Sequence, residues 1–162
     1  MRRTDVKGAD LDEIEAVYRE RFTAFARTAT AIAGDVESGR DAVQEAFAKA
    51  VRERHAFRRE GTLEAWLWPI VVNEARDRAR RRRSSALTGE PMSDAYRFEA
   101  DALRAALAAL PERQRLAAFL RYYADLDYEG IAAVLGISPG TVGATLNAAH
   151  AALRRSLGEV RT

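Results

Sequence analysis

Cysteine is absent from this 162-residue chain, so neither a disulfide nor a thiolate metal site holds it together. That absence fits a reducing compartment. Long apolar runs are missing too. The longest, Ala65 to Val72, contains Pro69 and falls far short of the roughly 20 residues a bilayer span needs. The N-terminal stretch MRRTDVKGADLDE has no apolar core of the kind a secretory signal requires. A soluble, cytoplasmic protein without membrane insertion is therefore expected. The two histidines, His55 and His150, are far apart in sequence and lack ligand-like company. No nucleophile stands near a base, so neither an enzyme, a metal site nor a cofactor is expected. A strong charge of one sign is lacking as well, the formal net charge being +2. Its distribution says more: residues 1–83 carry 18 basic and 15 acidic side chains, residues 84–162 carry 8 and 9.

What is present is helical periodicity. Hydrophobic residues make up 48% of the chain, enough for a packed core. Leu11, Ile14, Tyr18, Phe22, Phe25, Ala29 and Ile32 recur at three- and four-residue steps, which predicts an amphipathic helix over 11–33 ended by Gly34. Asp35 to Gly39 reads as a short polar connection. A second helix is predicted over about 39–56, with Ala42, Val43, Ala46, Phe47, Ala50 and Val51 inward. Asp41, Gln44 and Glu45 lie off that stripe, and by themselves read as a solvated face. HAFRREG (His55–Gly61) breaks the period. Its Phe57, Arg58 and Arg59 suit stacking on a single-stranded base, or alternatively a plain packing anchor. Thr62 is a fitting N-cap for a third helix whose apolar face is Leu63, Trp66, Leu67, Ile70 and Val71, with a kink expected near Pro69. That helix ends in six arginines within residues 76–83, suited to gripping phosphate.

SSALTGEPMSDAYR (residues 84–97) has no apolar period and reads as an interdomain linker. Helices are then predicted over about 98–109 and 111–124, the second opened by Pro111. Beyond them, Ile131, Val134 and Leu135 precede Gly136, a residue that ends a helix without steric cost. Ser138 sits where an N-cap belongs, Pro139 at the first helical position, and Val142, Leu146, Ala149, Leu153 and Leu157 make one stripe. Two helices joined by such a turn form a helix-turn-helix, whose second helix can enter a major groove. The same pattern also suits an ordinary helical hairpin. The fold class is all-α: two small helical domains, 1–83 and 98–162, joined by the flexible linker 84–97.

Three stretches in order resemble the extracytoplasmic-function sigma factors of bacterial RNA polymerase. DAVQEAF (Asp41–Phe47) is similar to region 2.2. AWLWPIVVNEARDRARRRR (Ala65–Arg83) is similar to regions 2.3–2.4. ALAALPERQRLAAFLRYYADLDYEGIAAVLGISPGTV (Ala106–Val142) is similar to region 4. The resemblance spans roughly Leu11 to Leu157 and implies a transcription-initiation factor that carries out no covalent chemistry.

The implied partners are the core polymerase, through its β′ clamp helices and β flap, promoter DNA and an anti-sigma factor. The resemblance makes Asp41, Gln44, Glu45 and Phe47 polymerase contacts. It assigns Phe57, Arg58, Arg59, Trp66, Asn73, Arg76, Asp77, Arg80 and Arg81 to the −10 element. It assigns Ser138, Thr141, Gly143, Ala144, Thr145, Asn147, Arg154 and Arg155 to the −35 element. One departure stands out. Where the family carries basic residues after Gly-Thr-Val, this chain has Gly143, Ala144 and Thr145. The expected alternative is thus a sigma-like protein that binds polymerase or a regulator with weakened or lost −35 reading. With no long domain after residue 157, no built-in C-terminal regulation is expected.

Overall fold

The computed structural model describes residues 8–85 and 97–159, and among these there are helices and no strand. The all-α expectation holds. Most of the predicted linker, residues 86–96, lies outside the described residues. The chain forms two compact units, one built on the first three helices and one on the last four.

In the first unit, α1 (Leu11–Ala33) begins at Asp10, whose amide donates to the Glu13 carboxylate at 2.8 Å. It ends at Gly34, which takes a left-handed φ of 98° so that its amide reaches the Thr30 carbonyl. Helix α2 (Val36–Arg52) follows at once. Its start differs from the sequence expectation. Asp35 is the N-cap, accepting the Ser38 amide at 2.8 Å, so Val36–Gly39 is helical rather than a connection. Helix α2 also ends earlier than predicted, and a short 3-10 turn, Arg54–Ala56, carries the chain onward.

Two predictions arise at this corner. Gly39 lies against the backbone of Thr30, and a Cβ there would stand 2.6 Å from the Thr30 Cα. Gly39→Ala would gain up to about 1 kcal/mol of helix propensity. Forcing two backbones apart costs about 1–3 kcal/mol, so the net result expected in urea unfolding is a loss. Asp35 has its carboxyl held below the usual carboxylate range, chiefly by the Ser38 amide and also by Arg82, whose Nη1 lies 2.8 Å from it. Because the folded value is the lower one, this stabilisation is complete above the ordinary Asp value. It fades as pH falls through the depressed value. In acid titrations of stability, Asp35→Asn should flatten that low-pH loss.

Helix α3 (Leu63–Ser85) buries Leu67, Trp68, Val71, Val72, Ala75 and Ala79. The stripe expected from sequence is one step out of phase with this. Trp68, 1% exposed, is the core tryptophan, and Trp66 is only half-buried. Two tryptophans two residues apart lie about 200° apart around a helix, so only one can face inward. Trp68 packs on Phe25 (ring centroids 4.4 Å apart), and Phe25 meets Phe47 edge-on at 5.4 Å. Its indole donates to Glu64, which also accepts Arg21 Nε at 2.8 Å. Val51, predicted inward, is 36% exposed. Helix α3 runs through Pro69 as one element. The ring leaves the Ala65 carbonyl without its intrahelical donor, but Ala65 is exposed and water can serve it.

The second unit holds α4 (Arg97–Ala109), α5 (Glu112–Tyr122), α6 (Tyr128–Leu135) and α7 (Pro139–Glu159). Leu116, Phe119, Leu120, Ile131, Val142, Leu146 and Ala149 supply its core. Asp127 caps α6 through the Gly130 amide at 2.8 Å. Gly136 ends it with φ 67°, and Ser138 Oγ accepts the Thr141 amide at 3.1 Å to start α7. The chain turns through 95° between α6 and α7, within the range of a helix-turn-helix. Two arginines brace the connections. Arg115 donates to the Ala108 carbonyl at 3.0 Å, and Arg121 to the Leu126 carbonyl at 3.1 Å.

Candidate nucleic-acid interface

Helix α3 sorts its residues by periodicity. Measured around the axis at about 100° per residue, Trp66, Asn73, Arg76, Asp77 and Arg80 fall on one side, with Arg81 at its margin. The core residues of α3 occupy the opposite side. Asn73 and Arg80 are exposed, and Arg76 and Asp77 are half-exposed. Asp77 accepts Arg80 Nη1 at 3.1 Å, a pair one turn long that fixes the guanidinium along the helix. The Asn73 amide is exposed and has no described partner, so its donor and acceptor are both available to a base edge.

The loop before α3 decides between the two readings of Phe57. Phe57 is 6% exposed, its ring packed on Trp66 with centroids 5.7 Å apart. It is the packing anchor and offers no face to a base. Arg59 is exposed but engaged, forking onto Glu13 with Nη1–Oε1 at 3.1 Å and Nη2–Oε2 at 2.8 Å. Its backbone is left-handed, with φ 57°. The pairing pulls the Glu13 carboxyl below its usual range, first through the Arg59 hydrogen bond, and raises the guanidinium's own value. Arg58 stays exposed.

On α2, Asp41, Gln44 and Glu45 are all exposed and share the face turned away from the core. Glu45 is linked to Arg52 at 3.1 Å, and Asp41 lies 3.8 Å from Arg78. Phe47 departs from its expected role. Its ring is 6% exposed and sits between Tyr18 and Phe25, so it anchors α2 and presents nothing to a partner.

In the second unit, Ala144, Asn147 and Arg155 face away from the core, with Arg154 close by, and all four are exposed. Several other expected contacts are engaged within the helix. The Ser138 and Thr141 hydroxyls bond each other at 2.8 Å as part of the cap. Thr145 Oγ1 donates to the Thr141 carbonyl at 2.7 Å. A Cβ at Gly143 would rest 3.5 Å from the Tyr128 ring, ordinary contact. Arg154 and Arg155 stand about 15 Å along the helix from Ala144, beyond the segment that would enter a groove.

Sequence reasoning missed two groups here. Arg113 and Gln114 border a shallow groove of about 520 Å³ with Ala144, Thr145 and Ala148, beside the N-terminal half of α7, which carries no cation before Arg154. Glu13 was the other, although Asp-x-x-Glu over Asp10–Glu13 is a capping-box signature visible in the sequence. Among the described residues, no group of three or more His, Asp or Glu is placed to hold a metal ion. No single described helix is long and apolar enough to cross a membrane.

Comparison with known proteins gives this geometry its context. Residues 17–85 match sigma-70 region 2 and residues 100–153 match sigma-70 region 4. The RNA polymerase sigma-E factor of Streptomyces coelicolor is 31% identical over 152 residues, covering 90% of this chain and 86% of that protein. The ECF RNA polymerase sigma factor SigM of Mycobacterium tuberculosis is 31% identical over 156 residues, covering 91% and 79%. Two solved structures share the fold. CnrH, in complex with the cytosolic domain of CnrY, has a TM-score of 0.75 at 24% identity, covering 93% of this chain and 91% of that one. The sigma factor RpoE from Bartonella quintana, in complex with the anti-sigma factor NepR, has a TM-score of 0.72 at 24% identity, covering 91% and 98%. This chain belongs to the extracytoplasmic-function sigma factors, which direct RNA polymerase in initiating transcription.

Proposed function

We propose that promoter opening by this sigma factor rests mainly on the outward face of α3, with a reduced contribution from α7. In this reading domains 1–83 and 98–162 divide the work. Asp41, Gln44 and Glu45 dock on the core polymerase, which requires a cytoplasmic protein. Trp66, Asn73, Arg76, Asp77 and Arg80 engage the −10 element, with Arg58 and Arg81 at its edges. The carrying observation is that the α3 set shares one face, opposite the buried stripe, while Phe25 and Trp68 hold the helix rigidly behind it. Melting needs no covalent step. Extruding a base costs a few kcal/mol, which contacts from a rigid, pre-positioned face can offset.

The second domain keeps the scaffold for −35 reading but little of the charge. Without a cation to neutralise a given phosphate, the salt slope of binding falls by about 0.9 and affinity falls with it. Asn147 retains the chemistry for adenine, and Arg113, Arg154 and Arg155 supply flanking cations. We also assign an anti-sigma partner, on family resemblance and because the similar RpoE is seen in complex with the anti-sigma factor NepR.

The test is run-off transcription with core polymerase, on a promoter selected by the holoenzyme from a randomised library. Specific transcripts are expected. Tight core binding without any initiation would favour the sigma-like interaction protein instead. Within the same assay, Asn147→Ala should leave a measurable −35 defect if α7 still reads bases.

A further inference from the structure

The loop from Phe57 to Gly61 offers two adjacent exposed arginines, of which Arg59 is held in an ion pair. Arg59 is drawn back across the protein to Glu13, 46 residues earlier, by two parallel hydrogen bonds. The same Glu13 Oε2 accepts the Asp10 amide at 2.8 Å, so its position is set by the start of α1. Arg59 also lies over the Phe57 ring, 5.9 Å from its centroid. A second tether acts beside it: the Ala9 amide donates to the Arg54 carbonyl at 2.9 Å, and Gly8, with φ 105°, has no room for a Cβ against Arg54 and His55. The N-terminal segment Gly8–Glu13 therefore clamps both the 3-10 turn and the loop that follows it. Arg58 is exposed with no described ion pair.

We infer that Glu13 is a positioning residue for the DNA-facing loop: by holding Arg59 in a bidentate ion pair it leaves Arg58 as the loop's contact to the nucleic acid. The inference rests on the proposed function, in which this loop meets −10 DNA. Its physical basis is pre-organisation. A left-handed backbone at a non-glycine residue is disfavoured, and persists when its surroundings over-determine it. The guanidinium–carboxylate fork supplies that constraint in a fixed geometry. A loop already in shape loses less conformational freedom when DNA arrives. Arg59 thus shapes the loop, and its charge is neutralised by Glu13 rather than by phosphate.

The experiment is open-complex formation by the holoenzyme on a library-selected promoter, measured against salt concentration for single, double and charge-exchanged variants. Arg58→Ala should lower the salt slope by about 0.7–0.9, the signature of one phosphate contact. Glu13→Gln and Arg59→Ala should each slow opening by up to about fivefold, the scale of an exposed pair, with the slope unchanged. Their double variant should be no worse than either alone. Exchanging the pair, Glu13→Arg with Arg59→Glu, should recover part of the loss, which identifies the pair itself as the cause. If Arg59→Ala lowers the slope and Arg58→Ala does not, the assignment is overturned. If Arg58→Ala and Arg59→Ala both leave rate and slope untouched, the loop does not meet DNA, and it is the underlying reading that fails.

Discussion

Trp68→Ala is expected to destabilise the first unit by about 3–5 kcal/mol, the range for emptying a large aromatic site in a core. The indole is 1% exposed, packs on Phe25 and donates to Glu64 at 3.2 Å. Its removal leaves a void between α1 and α3, while Glu64 keeps its bond to Arg21. Domain stabilities are typically about 5–15 kcal/mol, so the variant should be largely unfolded in mild denaturant. Trp66→Ala, two residues away on the half-exposed side, should cost far less. Urea unfolding followed by circular dichroism compares the two directly. Equal losses would place the two tryptophans in similar environments, contrary to the packing of α3 on Phe25.

The second large effect concerns function rather than stability. Asn73→Ala should reduce open-complex formation by about 10–100-fold, since a well-placed side-chain contact to a base is worth about 1–3 kcal/mol. Arg80→Ala should add a further loss and a shallower salt dependence, because it removes a phosphate-seeking charge. Neither should change the unfolding free energy by more than about 0.5 kcal/mol, as both side chains are exposed and away from the core. This separation between function and stability is the mark of an outward-facing reading surface. A variant that loses both together would indicate that α3 is mispacked.

Much of the architecture is legible in the chain because its signals are local. Gly34 and Gly136 end helices through a left-handed backbone, Thr62 and Ser138 start them through their side-chain hydroxyls, and each acts at the predicted position. The misreadings have tertiary causes. Val36–Gly39 looks like a connection because Gly and Ser weaken a helix, yet Gly39 is required by the close approach of Thr30. Trp66 and Trp68 fit either phase of α3, and Phe25 decides between them.

The site follows the same pattern. Helical spacing alone puts Asn73, Arg76, Asp77 and Arg80 on one face, as the sequence indicates. Phe47 and Phe57 carry a partner-facing expectation, but aromatic rings near other aromatics bury themselves, and both do. Arg59 is inseparable from Arg58 by sequence, because its partner Glu13 is distant in the chain.

The central claim is that α3 carries promoter opening and α7 adds little. The most direct measurement compares open-complex formation by the holoenzyme on a library-selected promoter whose −10 or −35 element has been scrambled, at one fixed salt concentration. Scrambling the −10 element should abolish opening, and scrambling the −35 element should reduce it by at most about 100-fold, the upper value of one base contact through Asn147. Loss of opening when only the −35 element is scrambled would contradict the account.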